Sequence, residues 1–335
     1  MFDIVVLGTA HPHILDLAKA VTDIDNVQLV GVWDPDTKRL TQAAKRLASP
    51  PIQSLAKSLA LKPALALIGA VPKSRASLAR QAIRAGAAVL ADKPLAVTHG
   101  ELDKTIEAFE KYRRPVITFY PYRGEPFIRA AKATLDTGSI GKLVRVMSCG
   151  PHKLNPNIRP DWHWTRRHNG GCIIDVGSHH ADICCWVAGE APDWLCATHV
   201  NLSRPRRRGF QDFAQAQLRF PCGALGHIEA DWVNPESMNK FGDTRTWIQG
   251  TTGKIEVRIG DERSGYVWTK KEAEKPLDIT PYESGHQWMA NLITDLSHDR
   301  PIDIPQQEVW RASRVTLHAF DSAQARGKPI TVAID

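Results

Sequence analysis

The sequence predicts a doubly wound parallel α/β domain followed by an α+β domain with a largely antiparallel sheet. Three observations carry that expectation. Over the first 120 residues, apolar runs rich in β-branched residues alternate with helical stretches. From Trp194 onward, strand-like segments follow one another with turns but no helices between them. The chain has 335 residues, and at about 150 residues per domain that length accommodates two.

In chain order, residues 4–7, 27–32, 64–71, 87–90 and 116–119 read as strands buried on both faces. Helices are expected between them over residues 14–21, 38–47, 74–85 and 101–111. The second follows Asp34-Pro35-Asp36 and carries a Leu40/Ala43/Ala44/Leu47 stripe. The third has Ser74 as its N-cap and Gly86 as its stop. This alternation with short connections gives right-handed crossovers in a parallel sheet. Near residue 122 the pattern changes, dividing the chain into domains 1–121 and 122–335. The second part opens with a helix over 126–137, stopped by Gly138, and a strand over 143–148. An aromatic and basic loop then meets Gly170-Gly171, and an apolar helix runs on to about residue 187. Strands are expected over 196–202, 213–220, 224–232, 246–249, 254–259 and 266–269, with turn signals between them. Helices over 285–298 and 307–326 and a strand over 330–334 close the chain.

Composition narrows the class. With 43% hydrophobic and 24% charged residues, the chain reads as an ordinary globular protein. No apolar run approaches the roughly 20 residues of a membrane span, so no membrane partner is expected. Met1-Phe2-Asp3 leads straight into the first strand, and six cysteines show no regular spacing, which together suit a cytoplasmic protein. The net charge of +7 suits anionic ligands, nucleotides among them. Arg204-Pro205-Arg206-Arg207-Arg208 is the one dense basic run. Lacking interleaved aromatics, it reads as a solvated loop, and no nucleic-acid partner is expected.

Gly8-Thr9-Ala10-His11-Pro12-His13 lies between the first strand and the first helix, the place of a pyrophosphate-binding G-x-G-x-x-G loop. Only the first glycine is present; Ala10 and His13 stand at the other two positions. His13 is expected to donate to a phosphate oxygen or to pack against the sheet. Asp34 ends the second strand, where an acid accepts from an adenosine ribose and repels a 2′-phosphate, so NAD is expected over NADP. The alternative is a doubly wound domain binding something else, with Asp34 only capping the next helix. His11 and His13, two residues apart across a turn, are not expected to share a metal ion.

Asp92-Lys93-Pro94 follows the fourth strand at its carboxyl end, where open α/β sheets bind ligands. The proline keeps Lys93 extended, although an ordinary surface lysine is the alternative. In Gly170-Gly171-Cys172-Ile173-Ile174-Asp175-Val176-Gly177-Ser178-His179-His180-Ala181-Asp182, a continuous helix places Asp175, His179 and Asp182 on one face. A carboxylate beside an imidazole suits general acid–base work; a structural Asp–His bond is the alternative. Gly177 leaves room for a flat ligand ring or a neighbouring strand. His180 points about 100° from His179 and reads as structural or a minor substrate contact. Cys172, Cys184, Cys185 and Cys196 read as small buried hydrophobes, and no metal is expected.

These elements, in this order and with Gly138-Ser139-Ile140-Gly141-Lys142 between them, resemble the Gfo/Idh/MocA family of nicotinamide-dependent sugar and cyclitol oxidoreductases. The resemblance covers nearly the whole chain, including Gly250-Thr251-Thr252-Gly253 and Gly327-Lys328-Pro329. It departs from the family at Asp92, where glutamate is usual, and in the glycine loop. It implies an N-terminal Rossmann domain and a C-terminal domain on an open mixed sheet, one face of which pairs into a homodimer or homotetramer. It also implies Lys93, Asp175 and His179 as the catalytic set and a carbohydrate-like small molecule as substrate. Gly8, Thr9, Ala10, His13, Asp34, Val71, Pro72, Asp92 and Lys93 would hold the cofactor, and Tyr120, Arg123, Trp162 and His180 the substrate. For the tryptophans, core packing is an equal account. Two other functions fit the same residues: a hydrolase or epimerase that retains NAD and oxidises transiently, and a ligand-sensing protein without turnover.

Overall fold

The computed structural model describes residues 1–332. The chain forms two compact units, Met1–Tyr120 with His286–Trp310, and Pro121–Gly285 with the chain from Arg311 onward.

The first unit alternates β1 (Phe2–Thr9), α1 (Pro12–Val21), β2 (Val27–Trp33), α2 (Thr37–Arg46), α3 (Leu55–Ala60), β3 (Leu65–Gly69), α4 (Pro72–Arg84), β4 (Ala88–Asp92), α5 (His99–Tyr112) and β5 (Val116–Phe119). The five strands form one parallel sheet in the order β2-β1-β3-β4-β5. Every residue of β3, β4 and β5 is buried, as their unbroken apolar sequence requires. The strand order reverses between β1 and β3, and the loops leaving their carboxyl ends part there; this switch point is where such sheets bind ligands. Local chemistry sets the helix starts. The Asp36 carboxylate accepts from Arg39 N, and Thr98 Oγ from Glu101 N. α4 begins at Pro72 with Val71 as N-cap rather than at Ser74, because proline at the first helical position needs no donor. α3, only six residues long, has too short a pattern to stand out in the sequence.

The second unit contains α6 (Pro126–Asp136), β6 (Leu143–Lys153), α7 (Arg166–Asn169), α8 (Cys172–Asp175), α9 (Gly177–Ala188), β7 (Trp194–Val200), β8 (Phe213–Arg219), β9 (Leu225–Asn234), β10 (Thr244–Gly250), β11 (Gly253–Ile259), β12 (Arg263–Thr269) and β13 (Lys275–Pro276). α10 (Gly285–Ser297) belongs from its second residue to the first unit, and α11 (Gln306–Gln324) and β14 (Ile330–Thr331) follow it in the chain. The remainder of the expected closing strand includes positions outside the described residues. Among the described residues, nine strands make one mixed sheet in the order β13-β12-β11-β10-β6-β9-β8-β7-β14, antiparallel except between β6 and β9. Alternation is clear in β8, where Ala214, Ala216 and Leu218 are buried while Gln215, Gln217 and Arg219 are exposed. α9 packs on β6 and β9, and α6 on β11. The turn at Ser139–Lys142 docks on the β10–β11 turn, with Thr251 N donating to Lys142 O and Thr252 N to Ile140 O, both at 2.9 Å. The single helix expected after Gly171 is two segments: α8 ends at Asp175, Val176 intervenes, and α9 begins at Gly177. Among the described residues, no helix is long and apolar enough to cross a membrane.

Candidate functional site

In the first unit, β1 runs into Gly8, whose φ of +78° suits glycine and whose missing Cβ would lie 2.5 Å from that of Ala70. The chain then passes Thr9 and the half-buried Ala10, and His11 N donates to Gly69 O at 3.0 Å. Pro12 opens α1, and no side chain caps it, so its first-turn amides are turned to this loop. Val71 and Pro72 start α4 on the other side of the switch point. Beside them a pocket of about 350 Å³ is lined by Trp33, Asp34, Pro35, Arg39, Val71 and Ser74, among others.

Asp34 is only 4% exposed, and its carboxylate is occupied. Oδ2 accepts from Thr9 N at 2.7 Å and Thr9 Oγ at 2.8 Å; Oδ1 accepts from Asp36 N at 2.8 Å and Arg39 Nη2 at 2.9 Å. The sequence places an acid here; it does not reveal that a cation five residues on covers it.

At the end of β4 stands Lys93, 5% exposed and joined to Pro94 by a cis peptide bond. Its main chain is fixed from beneath. Lys93 N donates to Asp92 Oδ1 at 2.9 Å, and the fully buried Arg75 guanidinium donates to Lys93 O, to Pro94 O and, through Nε, to Ala70 O. Arg75 also pairs with Asp92 Oδ2 at 3.4 Å. Both loop histidines turn onto the same carboxylate, His11 Nδ1 at 2.7 Å and His13 Nδ1 at 3.3 Å. Burial lowers the His11 pKa to about 4, against the raising effect of Asp92, so its imidazole is neutral at physiological pH. Burial alone would raise the Asp92 pKa, but the facing imidazole and the Arg75 guanidinium outweigh it and hold the acid well below the usual carboxylate range. The ligand atoms of His11, His13 and Asp92 lie within 4.8 Å of one another, closer than the turn spacing suggests. The Arg75 charge already balances Asp92, so the cluster reads as a hydrogen-bonded support for Lys93. Arg75 carries no sequence signal: it is one arginine among several on an amphipathic helix.

In the second unit, Gly170 and Gly171 turn the chain with φ of 95° and 90° into α8, which ends on Asp175. Asp175 and His179 are 7% and 3% exposed. The Tyr122 ring meets His179 edge-on at 4.9 Å, and its hydroxyl lies 3.4 Å from His152 Nε2; burial raises its pKa. His180 is fully buried, with Nδ1 2.8 Å from Ser148 Oγ and its ring on Gly150, where a Cβ would overlap Nε2. Its ring packs against the backbone of β6. A Cβ on Gly177 would lie 2.9 Å from Ile173 Cδ1 of α8 and 3.7 Å from Ala230 Cβ of β9, so mainly the Ile173 side chain takes the room left there. Arg123, expected to meet substrate, is buried in a two-pronged ion pair with Asp182 at 2.6 and 2.9 Å, its guanidinium over Trp186. Arg159 lies over the Trp232 ring at 4.6 Å and donates to Leu154 O; burial lowers its pKa against the opposing charge of Asp175. Burial, with Glu229 and Asp212 nearby, raises Asp231 to about 6. Trp162 is half-buried beside His163, and Trp164 is buried beneath Arg207 and Phe210. Tyr120, at the end of β5 in the first unit, is 4% exposed.

A parallel sheet with a glycine turn, an open helix N-terminus and a pocket at its switch point defines a dinucleotide-binding domain, here coupled to a mixed-sheet domain. Residues 2–120 match the model of an oxidoreductase family with an NAD-binding Rossmann fold, and residues 128–256 the GFO/IDH/MocA C-terminal domain. The chain belongs to the Gfo/Idh/MocA family. It is similar to the 1,5-anhydro-D-fructose reductase of Ensifer adhaerens, 26% identical over 74% of this chain and 73% of that protein. It is also similar to a D-xylose 1-dehydrogenase [NADP(+)] of Haloarcula marismortui, 26% identical over 58% of this chain but only 52% of that one. The structure of myo-inositol 2-dehydrogenase from Lactobacillus plantarum shares the fold, with a TM-score of 0.81 at 17% identity and 99% of each chain covered.

Proposed function

We propose that this protein transfers hydride between a nicotinamide dinucleotide and a hydroxyl or carbonyl carbon of a sugar, cyclitol or related polyol. The observation that carries the proposal is Lys93: a lysine 5% exposed, at the carboxyl end of a strand of the cofactor domain, on a buried lattice of Asp92, Arg75 and His11. A lysine so fixed offers a preorganised positive charge to an oxygen that becomes negative during reaction.

The loop after β1, the α1 N-terminus and the pocket beside Val71 suit a dinucleotide, and the bound nicotinamide supplies the site that gives or takes hydride. In this reading Lys93 donates a hydrogen bond to the reacting oxygen. His179 takes the hydroxyl proton in oxidation and returns it in reduction. Asp175 orients the imidazole or the substrate. The half-buried Tyr122 ring, set beside His179 and His152, suits a ring with apolar faces and a hydroxyl rim. A preference for NAD rests on an acid at the end of β2, which Arg39 here covers.

A homodimer or homotetramer belongs to the same proposal. Its support is a half-exposed row, His227, Met147, Trp247, Glu256 and Tyr266, paired across the open face of the second unit's sheet. The functional test is reduction of NAD or NADP at 340 nm with a panel of polyols and aldoses, together with nucleotide titration. Turnover with at least one ring polyol or aldose is expected. Tight binding of neither nucleotide overturns the proposal.

A further inference from the structure

We infer that Arg159 recognises a carboxylate on the substrate, so that this site takes sugar acids of the uronate type in preference to the matching neutral sugars. The inference rests on the hydride-transfer reading above and deepens it.

Arg159 follows the short helical turn Pro156–Ile158 after β6, and its guanidinium is held in place. Nε donates to Leu154 O at 2.7 Å and Nη2 to Lys153 O at 3.3 Å. Cζ lies 4.6 Å over the Trp232 ring and 5.4 Å over that of Phe241. These contacts use two of the five N–H groups of an arginine. The pair on Nη1 and one on Nη2 donate to no described residue. The buried Arg75 and Arg123 each face a carboxylate, Asp92 and Asp182. Arg159 does not. Asp175 and Glu236 act on its charge without pairing with it, and the exposed Glu236 already accepts from Asn155 N at 2.9 Å. A guanidinium drawn partly out of water and held without a counter-ion is costly unless a ligand supplies the opposite charge. Its planar fork matches a carboxylate with two parallel hydrogen bonds.

The position of Arg159 points the same way. Trp232 beneath it meets the His152 ring at 5.7 Å, His152 Nε2 lies 3.4 Å from the Tyr122 hydroxyl, and the Tyr122 ring meets His179 at 4.9 Å. One layer of rings within the second unit thus joins Arg159 to the proposed acid–base group. A neutral polyol leaves the Arg159 charge unmatched. A uronate offers both groups on one ring: a hydroxyl carbon for hydride transfer and a carboxylate for the guanidinium. The basic run between β7 and β8 joins the same layer. Arg207 lies 4.2 Å over Trp164, which meets His163 at 5.5 Å, and His163 meets Trp232 at 5.1 Å. Its neighbours Arg204, Arg206 and Arg208 are exposed, so this side of the unit carries positive potential that draws anions.

The test compares kcat/KM for pairs that differ only in a carboxylate for a hydroxymethyl group, D-glucuronate with D-glucose and D-galacturonate with D-galactose. It is run on the wild type and on Arg159→Gln. In the wild type the acid of at least one pair should be preferred about tenfold or more. Arg159→Gln should lower kcat/KM for that acid about tenfold or more, chiefly through KM, and for the neutral sugar by less than about threefold. Circular dichroism establishes that the variant is folded, and the wild-type ratios test the inference without it. Turnover in which no acid is preferred over its neutral partner overturns the inference and leaves hydride transfer standing. Equal losses for acid and neutral sugar in Arg159→Gln also overturn it. Turnover of none of the four compounds overturns it together with the hydride-transfer reading.

Discussion

The two units hold their candidate reactive groups by different physical means. Lys93 stands on a lattice of buried charge, in which Asp92 and Arg75, both with side chains 0% exposed, balance each other and clamp the main chain at residues 93 and 94. His179 stands among rings: Tyr122 against its edge, and His180 behind, seated on the bare backbone of Gly150. A charged lattice fails when one charge is removed, since the remaining one is buried without its counter-ion. A packed ring cluster fails when volume changes. The same loss of order therefore has different causes in the two units, and substitutions can separate them.

The largest stability effect is expected at Arg75. Arg75→Met keeps the approximate length of the side chain but strands Asp92, and should cost about 3–5 kcal/mol by chemical denaturation. A loss under about 1 kcal/mol would mean that Asp92 is satisfied by the histidines alone. Next comes pH. His11 titrates at about 4 in the fold and near 6.5 when unfolded, so between these values the unfolded chain binds the extra proton. Its contribution is complete above pH 6.5 and is lost as pH falls toward 4, with an upper bound of about 3 kcal/mol. Asp92, whose pKa is lowered, adds a loss in the same direction at still lower pH. Removing the imidazole with His11→Asn should flatten the stability profile between pH 6.5 and 4; an unchanged slope would place the titration elsewhere. The smallest effect belongs to the ring cluster. Gly150→Ala puts a methyl into the His180 ring and should cost about 1–3 kcal/mol. Chemical denaturation of the variant beside the wild type checks that penalty.

Much of this arrangement is legible in sequence because it rests on local pattern. Unbroken apolar runs mark the five parallel strands, and an Asp-Lys-Pro at the end of one of them places Lys93 at the ligand-binding edge. What escapes is every feature made by residues distant in sequence. Arg75 meets Asp92 across 17 positions, and Asp182 meets Arg123 across 59, so neither buried pair shows in the local pattern. Asp34 is visible as an acid after β2, but Thr9, 25 residues earlier, and the rotamer of Arg39 decide what that acid can still accept. The break at Val176 is invisible for another reason: the residues around it keep helical periodicity while the hydrogen bonding shifts, His179 N reaching Val176 O.

In the proposed function Lys93 donates to the reacting oxygen and His179 moves its proton. Single-turnover hydride transfer with Lys93→Ala and His179→Asn, on a polyol that the wild type oxidises, tests it most directly. Each folded variant, saturated with nucleotide, should transfer hydride at least about a hundredfold more slowly. Full-rate transfer by a folded, nucleotide-bound variant of either residue would contradict it.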